Sequence, residues 1–145
     1  MQLKQYLSVG FLLAVLFAAP WPPKSHADEA PRLSIELNNL TNVGGACRVT
    51  FLMKNALGRA VTDLRFELVL FGKDQRIMRL IAVTAGQLPV GKSRVRQFDL
   101  KGIECGDVGR ALLNDITQCA GDQLTPATCL AAAKLSSRID VPFIL

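Results

Sequence analysis

The chain has 145 residues, of which 50% are hydrophobic, and its formal net charge is +5. This length suffices for one domain with a modest core, and the charge is too small to indicate a nucleic-acid partner by itself. With one His in the chain, His26, there is little basis for His-dependent catalysis or for a His-ligated metal.

Residues 1–27 have the features of a cleavable secretory signal. Lys4 gives a positive start, residues 6–19 are nearly all apolar, and Ser25-His26-Ala27 offers the small-x-small pattern that signal peptidase reads. A membrane anchor is the alternative, but about 14 apolar residues in a helix reach only ~21 Å of a ~30 Å hydrocarbon core. No Arg-Arg pair precedes the apolar run, so we expect export to the periplasm by the general secretion route.

Cleavage would leave one domain, 28–145, without Trp, Tyr or His. Its 15 basic and 12 acidic residues give a net charge of +3, and it keeps five Phe as its aromatic residues. We find no nucleotide-binding, calcium-binding or catalytic motif in this part of the chain. We therefore expect neither an enzyme nor a cofactor or metal, and no nucleic-acid partner, because such binding favours aromatic stacking beside the charges.

Four cysteines remain in this domain: Cys47, Cys105, Cys119 and Cys129. An even number in a small exported domain predicts two disulfides, for which three pairings are possible. A Cys105–Cys119 bridge is disfavoured, because the intervening chain would span ~46 Å as a strand or ~21 Å as a helix. The favoured pairing is Cys47–Cys105 with Cys119–Cys129.

Short segments with alternating apolar and polar residues follow one another along the domain and predict β-strands. In chain order these segments are 32–37, 47–53, 61–71, 76–83 and 94–100. In the last of them we take Val95, Phe98 and Leu100 as core residues, and the change of phase after Val95 predicts a β-bulge.

The C-terminal third is less regular. Residues 108–116 fit a strand, although Val108, Leu112 and Ile116 would also share one face of a helix. A short helix is predicted after Thr125, because Thr is a good N-cap and Pro126 suits the first helical position. A last strand is predicted over 135–143.

About seven strands with turn residues between them predict an all-β domain. Two packed sheets would cover the apolar faces that a single sheet would leave in water. The predicted fold is an antiparallel, immunoglobulin-like or fibronectin III-like β-sandwich with one short C-terminal helix.

A basic run forms the candidate binding site, with Lys92, Arg94 and Arg96 in or beside one strand and Arg76 and Arg79 possible neighbours. One interpretation is that these charges only protect an edge strand from aggregation. The other is a contact surface, either for another cell-envelope protein or for an anionic lipid or glycan.

Two segments carry a resemblance to a known group. These are Leu37-Asn-Asn-Leu-Thr with Gly45-Ala-Cys-Arg-x-Thr-Phe51, and Val95-Arg-Gln-Phe-Asp-Leu100 followed by Cys105. They resemble small exported proteobacterial proteins of unassigned function, some labelled only for a twin-arginine signal that this chain lacks. The resemblance implies a periplasmic, disulfide-bonded domain and no active-site residues. The function predicted from the sequence is a non-catalytic periplasmic module that binds another envelope protein.

Overall fold

The computed structural model describes residue 30 and residues 32–145, so the predicted signal, 1–27, lies outside the described residues. Within them the chain forms eight β-strands, one α-helix and one short 3-10 turn at Cys105–Asp107. The strands are β1 (Arg32–Val43), β2 (Ala46–Ala56), β3 (Val61–Gly72), β4 (Ile77–Leu88), β5 (Ser93–Lys101), β6 (Val108–Ala120), β7 (Ala133–Ser137) and β8 (Phe143–Ile144). The helix, α1, spans Pro126–Ala131.

Two four-stranded sheets contain these strands, in the orders β5-β2-β1-β7 and β4-β3-β6-β8. The sheets pack together as a sandwich, and apolar side chains from both fill the space between them. At the centre the Phe51 ring of the first sheet lies 5.7 Å from Phe66 and 5.6 Å from Phe143 of the second. Each such aromatic pair contributes about 0.5–1.5 kcal/mol beyond the area it buries.

The sheets are mixed rather than wholly antiparallel, which corrects the predicted arrangement. β7 pairs in parallel with β1, and β8 pairs in parallel with β6. The predicted single strand over 135–143 is interrupted, because the Ser137 hydroxyl donates to the carbonyl oxygen of Val141 (2.6 Å) and folds the chain. This turn lets the C-terminal segment add one strand to each sheet.

Other predicted elements are confirmed. Residues 108–116 form a strand as part of β6, and α1 begins after Thr125, whose hydroxyl accepts a hydrogen bond from the Thr128 amide (3.2 Å). Both disulfides have the favoured pairing, Cys47–Cys105 and Cys119–Cys129. Two disulfides indicate that the protein works in an oxidising compartment outside the cytoplasm.

The predicted orientation of β5 is wrong. Val95 is not a core residue, since it is 56% exposed on the outer face of the first sheet. The pairing of β5 with β2 has no bulge, and Arg94 and Arg96 are opposite the buried Met53 and Phe51. Arg94, Arg96, Phe98 and Leu100 therefore share the core-facing side of β5.

Candidate functional site

The predicted basic residues lie along one side of the sandwich. β4 and β5 are edge strands of different sheets, and Arg96 joins them by donating from Nε to the Ala85 carbonyl oxygen (2.6 Å). Lys92 and Arg94 are near this bridge at the start of β5. Arg79 is further along, where its Nη2 is 3.5 Å from the Lys101 carbonyl oxygen. Five residues of strand separate Lys101 from Arg96, about 17 Å.

The five predicted site residues thus divide into two groups. The structure brings together Lys92, Arg94 and Arg96, while Arg79 lies apart from them and Arg76 is in the turn between β3 and β4. The Arg96 guanidinium is engaged with backbone carbonyls of Ala85 and Val95. Its role is to close the gap between two sheet edges, which leaves Lys92 and Arg94 as the exposed cations of β5 and its preceding turn.

Residues 77–101 have an excess of positive charge. They include five basic side chains and one acidic side chain, Asp99. Asp99 is already neutralised by Arg48, with Nε–Oδ1 and Nη2–Oδ2 distances of 2.7 and 2.8 Å. The Arg48 hydrogen bonds lower the pKa of Asp99, and the same bonds and charge raise the pKa of Arg48. Asp99 therefore does not offset the charges of Lys92 and Arg94, the two exposed cations at the start of β5.

The outer edge of β5 is an unbroken stretch of backbone. Nine residues of β5 pair with β2 in continuous register, and no described strand pairs with the other side of β5. β4 is different, because its register against β3 shifts between Val61 and Leu64, between Leu64 and Arg65, and between Leu70 and Phe71. Irregularities of this kind protect edges by twisting them away from partners. The regular edge on this side is therefore that of β5.

Apolar side chains that the sequence analysis did not assign to a site accompany these cations. Val95 is 56% exposed in β5, and Val90 is 49% exposed in the turn before it. We call Val90, Lys92, Arg94 and Val95, with the outer backbone of β5, the β5 edge site. The alternation of Phe98 and Leu100 with Gln97 and Asp99 was the signal that could have placed Val95 outside the core.

A buried asparagine fixes the turn that leads into this site. Asn55 is fully buried, and its amide donates to the carbonyl oxygens of Leu88 (2.7 Å) and Arg59 (2.8 Å). Its backbone also bonds to the turn, accepting from Gly91 (2.8 Å) and donating to Lys92 (3.1 Å). These contacts hold Lys92 beside the end of β2. The sequence does not single out Asn55, because an Asn beside a Gly turn is ordinarily a solvent-exposed turn residue.

Shallow pockets surround the turn between β3 and β4. One of about 350 Å³ is lined by Gly72, Lys73, Asp74, Met78 and Asp107. An adjacent pocket of about 300 Å³ includes Lys73, Gly109 and Arg110. The first lining combines Lys73 with the carboxylates of Asp74 and Asp107, whereas the second has cations and no carboxylate. Because the two pockets share Lys73, this end of the molecule presents both signs of charge side by side. All four cysteine sulfurs lie in disulfides, and no cluster of three or more His, Cys, Asp or Glu suited to a metal occurs in the described part of the chain.

Comparison of the chain with protein-family models, curated proteins and solved structures gives no match. Among the described residues, no helix is long and apolar enough to cross a bilayer. The surfaces themselves therefore carry the functional interpretation.

Proposed function

We propose that this protein is a non-catalytic module of the periplasm that binds another cell-envelope protein through the β5 edge site. The observation that carries the proposal is the regular outer edge of β5, with which no described strand pairs. Two of its carbonyl oxygens, those of Val95 and Lys101, accept from arginine side chains that a partner strand would have to displace. Such an edge offers regularly spaced amide and carbonyl groups, and an extended peptide can pair with them as an added strand. The backbone would supply affinity and the side chains specificity.

The side chains of the β5 edge site define the partner segment that would fit. Val95 and Arg94 are on opposite faces of β5, since successive side chains alternate along a strand. A segment added beside them would place an apolar residue next to Val95 and an acidic residue next to Arg94. We therefore propose an extended, alternating segment with at least one acidic residue as the ligand.

The compartment and the finer fold assignment belong to the same proposal. Two disulfides support an oxidising location, and the signal-like residues 1–27 together with the resemblance to small exported proteins support the periplasm. The neighbours β1, β2 and β5 in one sheet and β3, β4 and β6 in the other favour an immunoglobulin-like arrangement. The parallel strands β7 and β8 are additions to that arrangement.

An anionic lipid or glycan surface is the alternative ligand. The excess of positive charge in residues 77–101 suits this ligand as well as a protein. A lipid or glycan ligand would leave the outer backbone of β5 without a role. We therefore favour a protein ligand.

A photo-crosslinking amino acid at Val95 tests the proposal in the intact cell envelope. The matched control carries the same crosslinker at Lys134, which is exposed on β7 at the opposite edge of the same sheet. We expect one discrete protein adduct from Val95 and none from Lys134. Lys92→Glu with Arg94→Glu should reduce that adduct, with a larger effect at low salt, because a charge-assisted contact loses association rate.

Three results would count against the proposal. Equal adducts from both positions would mean that β5 is not selective. An adduct that forms equally well in the Lys92→Glu/Arg94→Glu variant would show that these cations do not contribute to binding. Recovery of phospholipid or lipopolysaccharide in place of protein would establish the alternative ligand.

A further inference from the structure

Four aliphatic side chains form a continuous row across the outer face of the second sheet. The register places Leu80 of β4 opposite Val69 of β3, Val69 opposite Leu112 of β6, and Leu112 opposite Ile144 of β8. We call these residues the apolar row. Leu80 is 56% exposed and Ile144 is 39% exposed, whereas Val69 is only 4% exposed between its neighbours. An apolar strip on the solvent side of a sheet is a feature of interaction surfaces.

The row is flanked on the side of the β3–β4 turn by an arginine without an anionic partner. Phe71 is opposite both Ile77 and Arg110, and the Arg110 guanidinium carbon lies 4.3 Å from the centre of the Phe71 ring. The Nε of Arg110 is buried and has no hydrogen-bond acceptor, and Arg110 forms no ion pair with any residue of 32–145. The half-buried Arg110 side chain therefore lies against the Phe71 ring with no anionic partner among residues 32–145.

The other flank of the row is acidic. Glu67 and Asp115 are direct cross-strand neighbours in β3 and β6. Like charges in this position destabilise a sheet. Glu67 accepts a hydrogen bond from Asn114 (2.8 Å), but neither carboxylate has a salt-bridge partner among the described residues. The pair therefore lacks the cation that would offset its repulsion.

We infer that a second copy of this chain covers this face in a two-fold symmetric dimer. An axis running along the apolar row would place the row of one copy on the row of the other. Arg110 and Glu67 are each two residues from the row along their strands, about 7 Å, and Asp115 is opposite Glu67. The same rotation therefore brings Arg110 of each copy over the Glu67–Asp115 pair of the other, and the contact occurs twice.

A second copy of the chain fits this face better than other partners do, because the face is complementary to itself. An anionic bilayer would accept the aliphatic side chains and Arg110, but it would place the Glu67–Asp115 pair against headgroups of the same sign. A two-fold dimer satisfies both flanks with residues already present in the chain. Face-to-face packing is the ordinary way in which sheets cover apolar faces. The β5 edge site is in the other sheet and remains open in this dimer.

Sedimentation equilibrium over a range of concentrations tests the inference. The sample is the exported protein, isolated with both disulfides intact. We expect a reversible monomer–dimer equilibrium for the wild-type protein. Leu80→Asp should raise the dissociation constant at least tenfold, because it places a charge in the apolar row. Thr84→Asp is the matched control on the same strand, four residues away from Leu80, and should leave the dissociation constant within about threefold of wild type.

Charge exchange tests the proposed axis. Asp115→Arg should weaken the dimer at least tenfold, since it leaves Arg110 opposite a cation. Adding Arg110→Glu to that variant should restore the dissociation constant to within about threefold of wild type. A wild-type protein that remains a monomer up to millimolar concentration would overturn the inference, as would a dimer unaffected by Leu80→Asp or a charge exchange that fails to restore dimerisation in a folded protein.

Discussion

Arg96 occupies the core-facing side of an edge strand without placing its charge in the core. It is opposite Phe51 in the register of β5 on β2, yet its guanidinium reaches the backbone of β4 at Ala85. Long basic side chains can cover apolar surface with their methylene groups while the charged end finds polar partners. The core side of β5 is therefore closed by Arg96, and the smaller Val95 lies outside.

Val95→Asp should leave the fold intact, in contrast to what the sequence alone suggests. We expect the free energy of unfolding to change by within about 0.5 kcal/mol, because the side chain is on the solvent face. Val49→Asp is the matched control, at a position that is 1% exposed in the neighbouring strand. Burying the same unpaired carboxylate there should cost more than about 4 kcal/mol.

Denaturant titrations of both variants provide the measurement. A Val95→Asp protein that unfolds as readily as Val49→Asp would contradict the register of β5 described above.

The contrast between Val95 and β3 shows what the sequence could specify at the level of single residues. Leu64, Phe66, Leu68 and Leu70 all point the same way, so the inward face of β3 could be predicted. β5 has only Phe98 and Leu100 as large apolar guides, and Val95 competes with them in the opposite phase. Assigning Val95 to the core required a bulge that the strand does not have. The alternation set by Phe98 and Leu100 predicts the orientation of β5 correctly.

At the level of elements, β2 is the one described strand that pairs with β5, so polar pairs between these two strands contribute to holding β5 in its sheet. The Arg48–Asp99 pair is directly cross-strand and joined by two hydrogen bonds. These bonds lower the pKa of Asp99, so the pair stabilises the folded protein fully at neutral pH. Its contribution falls as the pH drops below about 4, the usual range of an Asp, and disappears below the folded-state pKa.

Asp99→Asn should therefore lower the melting temperature slightly at pH 7 and not at strongly acidic pH. The effect is small because both side chains are exposed to solvent. Arg48→Gln should give the same pattern, since either change removes the pair. Melting curves between pH 2 and pH 7 provide the measurement, and a constant offset from wild type at every pH would contradict this role of the pair.

The C-terminal elements show where local sequence ceases to determine the structure. The alternation of Leu135, Ser137, Ile139, Val141 and Phe143 fits one continuous strand. Its division into β7 and β8 depends on the Ser137 hydroxyl and on two distant strands that accept parallel partners. The apolar row was missed for a related reason. Val69 and Leu112 face outward, and they form a recognisable apolar surface only because the register aligns them with Leu80 and Ile144.

At the scale of the whole molecule, the two disulfides close loops of very different length. Cys47–Cys105 spans 58 residues, whereas Cys119–Cys129 spans 10. Loop-closure entropy in the unfolded chain predicts contributions of ~4 and ~3 kcal/mol, respectively. Replacing Cys47 and Cys105 with Ala should therefore lower the free energy of unfolding more than replacing Cys119 and Cys129.

Denaturant titration of the two double variants measures the difference, with protein that remains monodisperse. A larger loss in the Cys119→Ala/Cys129→Ala protein would mean that anchoring α1 to β6 matters more than the entropy of the long loop.

The parallel pairing of β1 with β7 determines when, during synthesis, the first sheet can be completed. Leu33 is in register with Ala133, a hundred residues later in the sequence. A nascent chain that ends before β7 leaves one edge of β1 without its partner and cannot complete the first sheet. Contacts between such distant residues also make folding slow. We therefore expect the first sheet to be completed only after the chain has been synthesised through Ser137, the last residue of β7.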